Sequence, residues 1–155
     1  MARPKAPQIL YLDSSALIAA VKAEAGSESI QGILAEIEKG RYTLIASTAC
    51  LVEVRGGGHR EPIDPLVEKR IRGFLEGPRV ILVELDRAVG LKAREFAQTL
   101  NLKTWDAVHL ASAVVGQADV FMTLDLADFP MDSDVEGVWV TKPYQLDGPN
   151  LFDVE

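Results

Sequence analysis

The stretch ILYLDSSALIAA, residues 9–20, decides how this chain is read. Four strand-forming apolar residues, Ile9 to Leu12, stop at a carboxylate, Asp13. Two hydroxyls follow, Ser14 and Ser15, and then a helix-like apolar run. A short continuous apolar strand fits a sheet covered on both faces. An ionisable group where such a strand gives way to a helix calls for a partner or a task.

Working outward, strands and helical stretches alternate. Helices are predicted over 15–23, 27–39, 48–55, 64–75, 86–101 and 104–115 from apolar residues at 3.6-residue spacing. Strands are predicted over 42–47, 80–85, 120–124 and 138–141. Gly40 and Gly77-Pro78 punctuate helix ends, and RGGGHREP over 55–62 reads as a loop. This alternation argues for an α/β fold with a parallel sheet and helices on both faces. No linker or repeat divides the 155 residues, so one domain over 1–155 is expected.

Composition narrows the classes. Hydrophobic residues make up 48%, which excludes a disordered chain. No apolar run approaches the roughly 18 residues of a membrane span. No apolar signal core precedes the first strand, and Cys50 is the single cysteine, so a reducing, cytoplasmic setting is expected. Cys50 lies in an apolar run and reads as a small core residue. The net charge of −7 argues against binding nucleic acid by bulk charge alone. Two segments have the opposite sign: Arg55, Arg60, Lys69, Arg70 and Arg72, then Arg87, Lys92, Arg94 and Lys103. They read first as solvated helix faces, and second as contacts for RNA or a protein partner. The glycines of 56–58 read as a flexible loop beside the site, with His59 exposed on it.

Ligands of open α/β sheets bind at the carboxyl ends of the strands. Asp13 ends the first strand, and Asp125 follows the strand VFMTL. Glu53 lies in the helix after 42–47, and Asp106 in the first turn of the helix TWDAVHLASAVV, where it shares a face with His109, Leu110 and Ala113. Each acid has a plainer role available. Asp13 and Asp106 fit as helix-start acids, although Ser14 or Ser15 already offers the cap. Acids in apolar runs are costly to bury unpaired. Two like charges at 4 Å repel by about 4 kcal/mol at an effective dielectric of about 20. A divalent cation relieves this, and an all-oxygen set suits Mg²⁺, with Mn²⁺ as a substitute. With no P-loop in the sequence, phosphodiester hydrolysis is the natural reaction for such a site.

YLDSSALIA (11–19), TLIASTACLVEVRG (43–56), LKTWDAVHLASAV (102–114) and ADVFMTLDLADF (118–129) together resemble the PIN-domain ribonucleases. The likeness is nearest to the VapC-like toxins of toxin–antitoxin pairs. The resemblance implies a three-layer α/β/α sandwich with a mostly parallel sheet of about five strands. It implies a metal-dependent endoribonuclease, a homodimer and a VapB-like antitoxin partner. By position the acids are Asp13, Glu53, Asp106 and, of Asp125 and Asp128, Asp125, because it directly follows the strand. Thr123 fits the small hydroxyl beside the fourth acid, and Ser14 fits a residue orienting Asp13 or a phosphate oxygen. His109 is expected to pack or bond inside its own helix, and Trp105 to pack in the core rather than stack a base. The tail from Pro143 is open between packing on a partner subunit and hanging free.

A stand-alone RNA-processing nuclease keeps the same site without an antitoxin. A phospho-accepting receiver domain is a poorer rival. Lys142-Pro143 fits it, but Asp13 lacks the second acid beside it, and Asp86 as acceptor leaves Glu53, Asp106 and Asp125 unexplained. A binding module without activity is disfavoured because all four acids are present.

Overall fold

Leu10, Tyr11 and Leu12 have no solvent exposure, and this has a topological cause. In the computed structural model, which describes residues 2–24 and 26–146, the strand β1 (Ile9–Leu12) lies inside a six-stranded sheet. The other strands are β2 (Thr43–Ser47), β3 (Val80–Val83), β4 (Val120–Met122), β5 (Ser133–Val135) and β6 (Val138–Thr141). Their order is β3-β2-β1-β4-β6-β5, parallel except for the β5–β6 pair. Alternate side chains of β1 enter different cores. Leu10 and Leu12 pack with α1 (Ser14–Val21), α2 (Glu28–Glu38) and α4 (Pro65–Leu75) on one face. Tyr11 packs with α5 (Arg87–Thr99) and α6 (Thr104–Val115) on the other. The result is the expected three-layer sandwich.

The chain leaves β1 toward β2 and β3, then returns to the other side of β1 as β4. Strand order therefore reverses between β1 and β4, and the loops after them diverge to leave a crevice at their carboxyl ends. Asp13 stands there, its N–H still bonded to the Met122 carbonyl at 3.2 Å.

Several expectations need correction. A sixth strand, β5, pairs with β6 through Glu136 and Gly137, both with positive φ. Three-residue strands carry little periodicity, and Glu-Gly is a weaker hairpin signal than Asn-Gly. The helix expected over 48–55 is one turn, α3 (Cys50–Glu53), because Val54 is already extended. Strand 80–85 ends at Val83 and strand 120–124 at Met122. Pro65 opens α4 behind an Asp64 cap, and Asp86 caps α5 as expected. Cys50 is buried in the core, and burial pushes its thiol up to about 12, with Glu53 and Asp13 adding to the shift. Of the tail, Tyr144 and Leu146 pack on the α1–α2 core, and the Arg3 guanidinium lies 4.2 Å from the Tyr144 ring. Residues 147–155 lie outside the described residues.

Candidate active site

Asp13 is 3% exposed, and its carboxylate accepts three hydrogen bonds. Its Oδ1 accepts from the Ser15 hydroxyl at 2.6 Å and the Ala16 N–H at 3.1 Å, and its Oδ2 from the Thr123 hydroxyl at 2.6 Å. Asp13 is thus itself the cap of α1, which corrects the assignment of that task to a serine. The two serines are used otherwise. Ser15 Oγ accepts from Leu124 N, tying the β4 loop to α1, while Ser14 donates to Glu53 Oε2 at 2.7 Å. Burial raises the Asp13 carboxyl above its ordinary value and outweighs the Ser15, Thr123 and Ala16 bonds that oppose it. The shift marks a charge for which the surrounding donors do not fully compensate.

Glu53, at the end of α3, meets His109 Nε2 at 2.8 Å through its other oxygen. Burial alone would raise this carboxyl, but the bonds from His109 and Ser14 prevail and leave it below its ordinary value. His109 is buried, as packing predicted, yet its bonds leave its own helix for Glu53 and for Tyr11. Sequence reasoning missed both partners because β1, α3 and α6 are distant in the chain.

Asp106 sits in the first turn of α6, partly buried. Its carboxyl is raised first by burial and then by the charges of Asp128, Asp125 and Asp13, in that order, with Lys103 opposing more weakly. Asp125 is exposed, and its N–H donates to Thr123 Oγ1 at 3.0 Å. Thr123 therefore links the first acid to the loop of the fourth. Asp128 faces Lys103 at 3.7 Å, and of the two loop acids it acts more strongly on Asp106. The fold thus brings Asp13, Asp125 and Asp128 within electrostatic reach of Asp106. Glu53 stands at the flank, joined through Ser14 and His109.

Among the described residues, no three Asp, Glu, His or Cys side chains are spaced to hold one ion directly. The donor chemistry still fits a hard divalent cation: carboxylate oxygens that repel one another, with His109 engaged elsewhere. Trp105 is 53% exposed beside Asp106, contrary to the expected core packing. Full burial on α6 begins only at Ala107, and Thr104 and Trp105 stand in solvent. The RGGG loop is also not a loose flap. Gly56 N–H donates to Glu68 at 2.7 Å, and a Cβ on Gly56 would lie 2.8 Å from Glu68 N. His59, Arg55, Arg60, Lys69, Arg70 and Arg72 are exposed, as expected of a solvated face. No helix among the described residues is long and apolar enough to cross a membrane.

A mostly parallel α/β sandwich with acids gathered at its switch point defines a class of carboxylate sites suited to a hard cation. Within that class the sequence matches the PIN domain family over residues 10–129, and the chain belongs to that family. No curated protein matches the chain by sequence. Among solved structures, the fold is similar to a chain of a toxin–antitoxin complex from Klebsiella pneumoniae. The two share 20% identity and a TM-score of 0.61, over 88% of this chain and 98% of the other. A chain of VapBC2 from Rickettsia felis, bound to a DNA fragment from its promoter, gives 15% and 0.62 over 86% and 97%. A chain of DNA-bound VapBC from Salmonella typhimurium gives 17% and 0.59 over 88% and 99%. At these identities the likeness is one of fold.

Proposed function

We propose that the protein is a Mg²⁺-dependent endoribonuclease and the toxin of a VapBC-type pair. The observation that carries the reading is the state of Asp106: a half-sheltered carboxyl pressed by three other acids at the sheet's switch point. Such a cluster is destabilising by itself and favourable around a cation. The PIN family match and the toxin–antitoxin complexes among proteins of the same fold support the same conclusion.

In this reading Asp13, Asp106 and Asp125 hold the ion directly or through water, with Asp128 contributing through water. The ion, Mg²⁺ or Mn²⁺, would polarise a phosphoryl oxygen and lower the pKa of a bound water. Glu53 completes the cluster or takes the proton as water attacks phosphorus in line. The new P–O bond forms as the bond to the 3′ oxygen breaks, leaving a 5′-phosphate and a 3′-hydroxyl. Ser15 and Thr123 hold Asp13 in place, and Ser14 holds Glu53. An open groove of about 440 Å³, lined by Asn101, Lys103, Asp128 and Pro130 among others, reaches Asp128 and offers RNA a path. Trp105 is exposed where it can stack a base. An antitoxin covering this edge would silence the site, and the working unit is a homodimer.

The test is cleavage of total RNA by the antitoxin-free protein with Mg²⁺, Mn²⁺ or EDTA, beside Asp106→Asn. Cleavage that needs the metal, and a loss of at least about a hundredfold in the variant, is expected. Activity in EDTA, or full activity of the variant, contradicts the mechanism.

A further inference from the structure

Behind the acids a chain of hydrogen bonds leads to Glu53 through two side chains, Tyr11 and His109, that the proposed reaction does not use. The Ser47 N–H donates to Tyr11 Oη at 3.2 Å. Tyr11 Oη meets His109 Nδ1 at 2.6 Å, and His109 Nε2 meets Glu53 Oε1 at 2.8 Å. Tyr11 is 0% exposed and His109 2%. Both rings are held in place: Tyr11 stacks on Phe121 with centroids 5.2 Å apart and meets His109 edge-on at 5.9 Å. An aliphatic side chain would fill the His109 site without needing two polar partners. The histidine is therefore best explained by what it bonds.

The direction of each bond follows from what each atom can do. A carboxylate oxygen only accepts, so the proton between His109 and Glu53 sits on Nε2. The Tyr11 oxygen already accepts from Ser47. Its own hydrogen has one acceptor in reach among the described residues, His109 Nδ1. The chain then runs in one sense: Ser47 N–H to Tyr11, Tyr11 O–H to Nδ1, Nε2–H to Glu53. The reverse sense would set a bare Nε2 lone pair against a carboxylate oxygen and leave the buried hydroxyl hydrogen without a partner.

We propose that Tyr11 and His109 are positioning residues: Tyr11 donates to Nδ1 and braces His109 in the Nε2–H form that Glu53 also requires, and that N–H fixes the orientation of Glu53 toward the reacting water. The catalytic half of this inference rests on the nuclease reading; the tautomer half does not. It parallels the way outer partners orient ligating groups in metal sites.

Two measurements test it. ¹⁵N-histidine NMR on the metal-free protein should show His109 as the Nε2–H tautomer in wild type, and in Tyr11→Phe the Nδ1 resonance should move toward that of an unbonded imine nitrogen. An Nδ1–H tautomer or a doubly protonated ring in wild type, or an unmoved Nδ1 resonance in the variant, overturns the proposal. In the RNA cleavage assay, Tyr11→Phe and His109→Leu should each lower kcat by about tenfold or more with KM little changed. His109→Gln, which can still donate to Glu53, should recover part of the loss. In a Glu53→Gln background the cost of His109→Leu should largely vanish. An undiminished cost there would mean a purely structural role and would overturn the proposal. If His109→Leu does not fold, Tyr11→Phe, which loses one hydroxyl, carries the same comparison. A wild type that cleaves no RNA would remove the nuclease reading and the catalytic half with it, and the NMR result would still decide the sense of the chain.

Discussion

The carboxyl of Asp106 holds its proton more tightly in the folded protein than in an unfolded chain, because burial and the charges of Asp128, Asp125 and Asp13 disfavour its ionisation. The consequence for stability has a definite sign. A native carboxyl raised above its unfolded value makes stability fall as pH rises from the unfolded value through the native one. Above that window the full deficit applies. Replacing Asp106 by Asn removes it. In EDTA at pH 7 the Asp106→Asn protein should melt about 1–3 °C above wild type. The difference should shrink as pH is lowered below the carboxylate range. A variant that melts lower at pH 7 would show that the acids do not burden the metal-free fold. At this scale the sequence was legible where a residue's environment is local. Asp13 after a strand, Asp106 in an apolar helix and Cys50 in an apolar run were all readable. The role of His109 was not, because its Tyr11 partner lies 98 residues away and its Glu53 partner 56.

Among the elements, the connection from α3 to α4 shows how glycine serves by lacking a side chain rather than by freedom of backbone. A Cβ on Gly56 would meet Glu68 N at 2.8 Å, Glu68 Cβ at 2.9 Å and Asp64 O at 3.0 Å. Most of that obstacle is backbone of the first turn of α4, which cannot yield cheaply. One on Gly58 would meet the end of the Glu61 side chain at 2.8 Å, which can swing away. Gly56→Ala should therefore cost about 1–3 kcal/mol in urea unfolding, and Gly58→Ala much less. Equal effects would mean the loop does not pack as described. The loop sits directly after Glu53, so its packing also helps to place that acid. From sequence, GGG reads only as flexibility, since close approach is a property of the segment across the gap. Helix α6 was readable to its ends, Thr104 to Val115, because twelve residues carry a clear apolar pattern. Helix α3 and strand β5 were not, being one turn and three residues long.

At the scale of the molecule, acids from β1, α6 and the loop after β4 meet because strand order reverses between β1 and β4. If a divalent ion belongs there, it binds only the folded chain and must stabilise it. At Mn²⁺ one hundred times its Kd the gain is about 2.7 kcal/mol, a rise of about 5–10 °C in Tm for a chain of this length. Asp13→Asn should lose most of that rise. Thermal shift with and without the ion checks it, and an unchanged wild-type Tm would count against the carboxylate centre.

The sequence by itself determined the α/β class, most helices, the central buried strand and the acids facing one sheet edge. Those features are written in hydrophobic period and in the place where an apolar strand stops. Only the tertiary structure decided that Asp13 is its own helix's cap, that Asp128 rivals Asp125 beside Asp106, and that Glu53 is held through His109 by Tyr11. Periodicity records which face of an element is buried, while a hydrogen bond depends on which distant element is laid against that face.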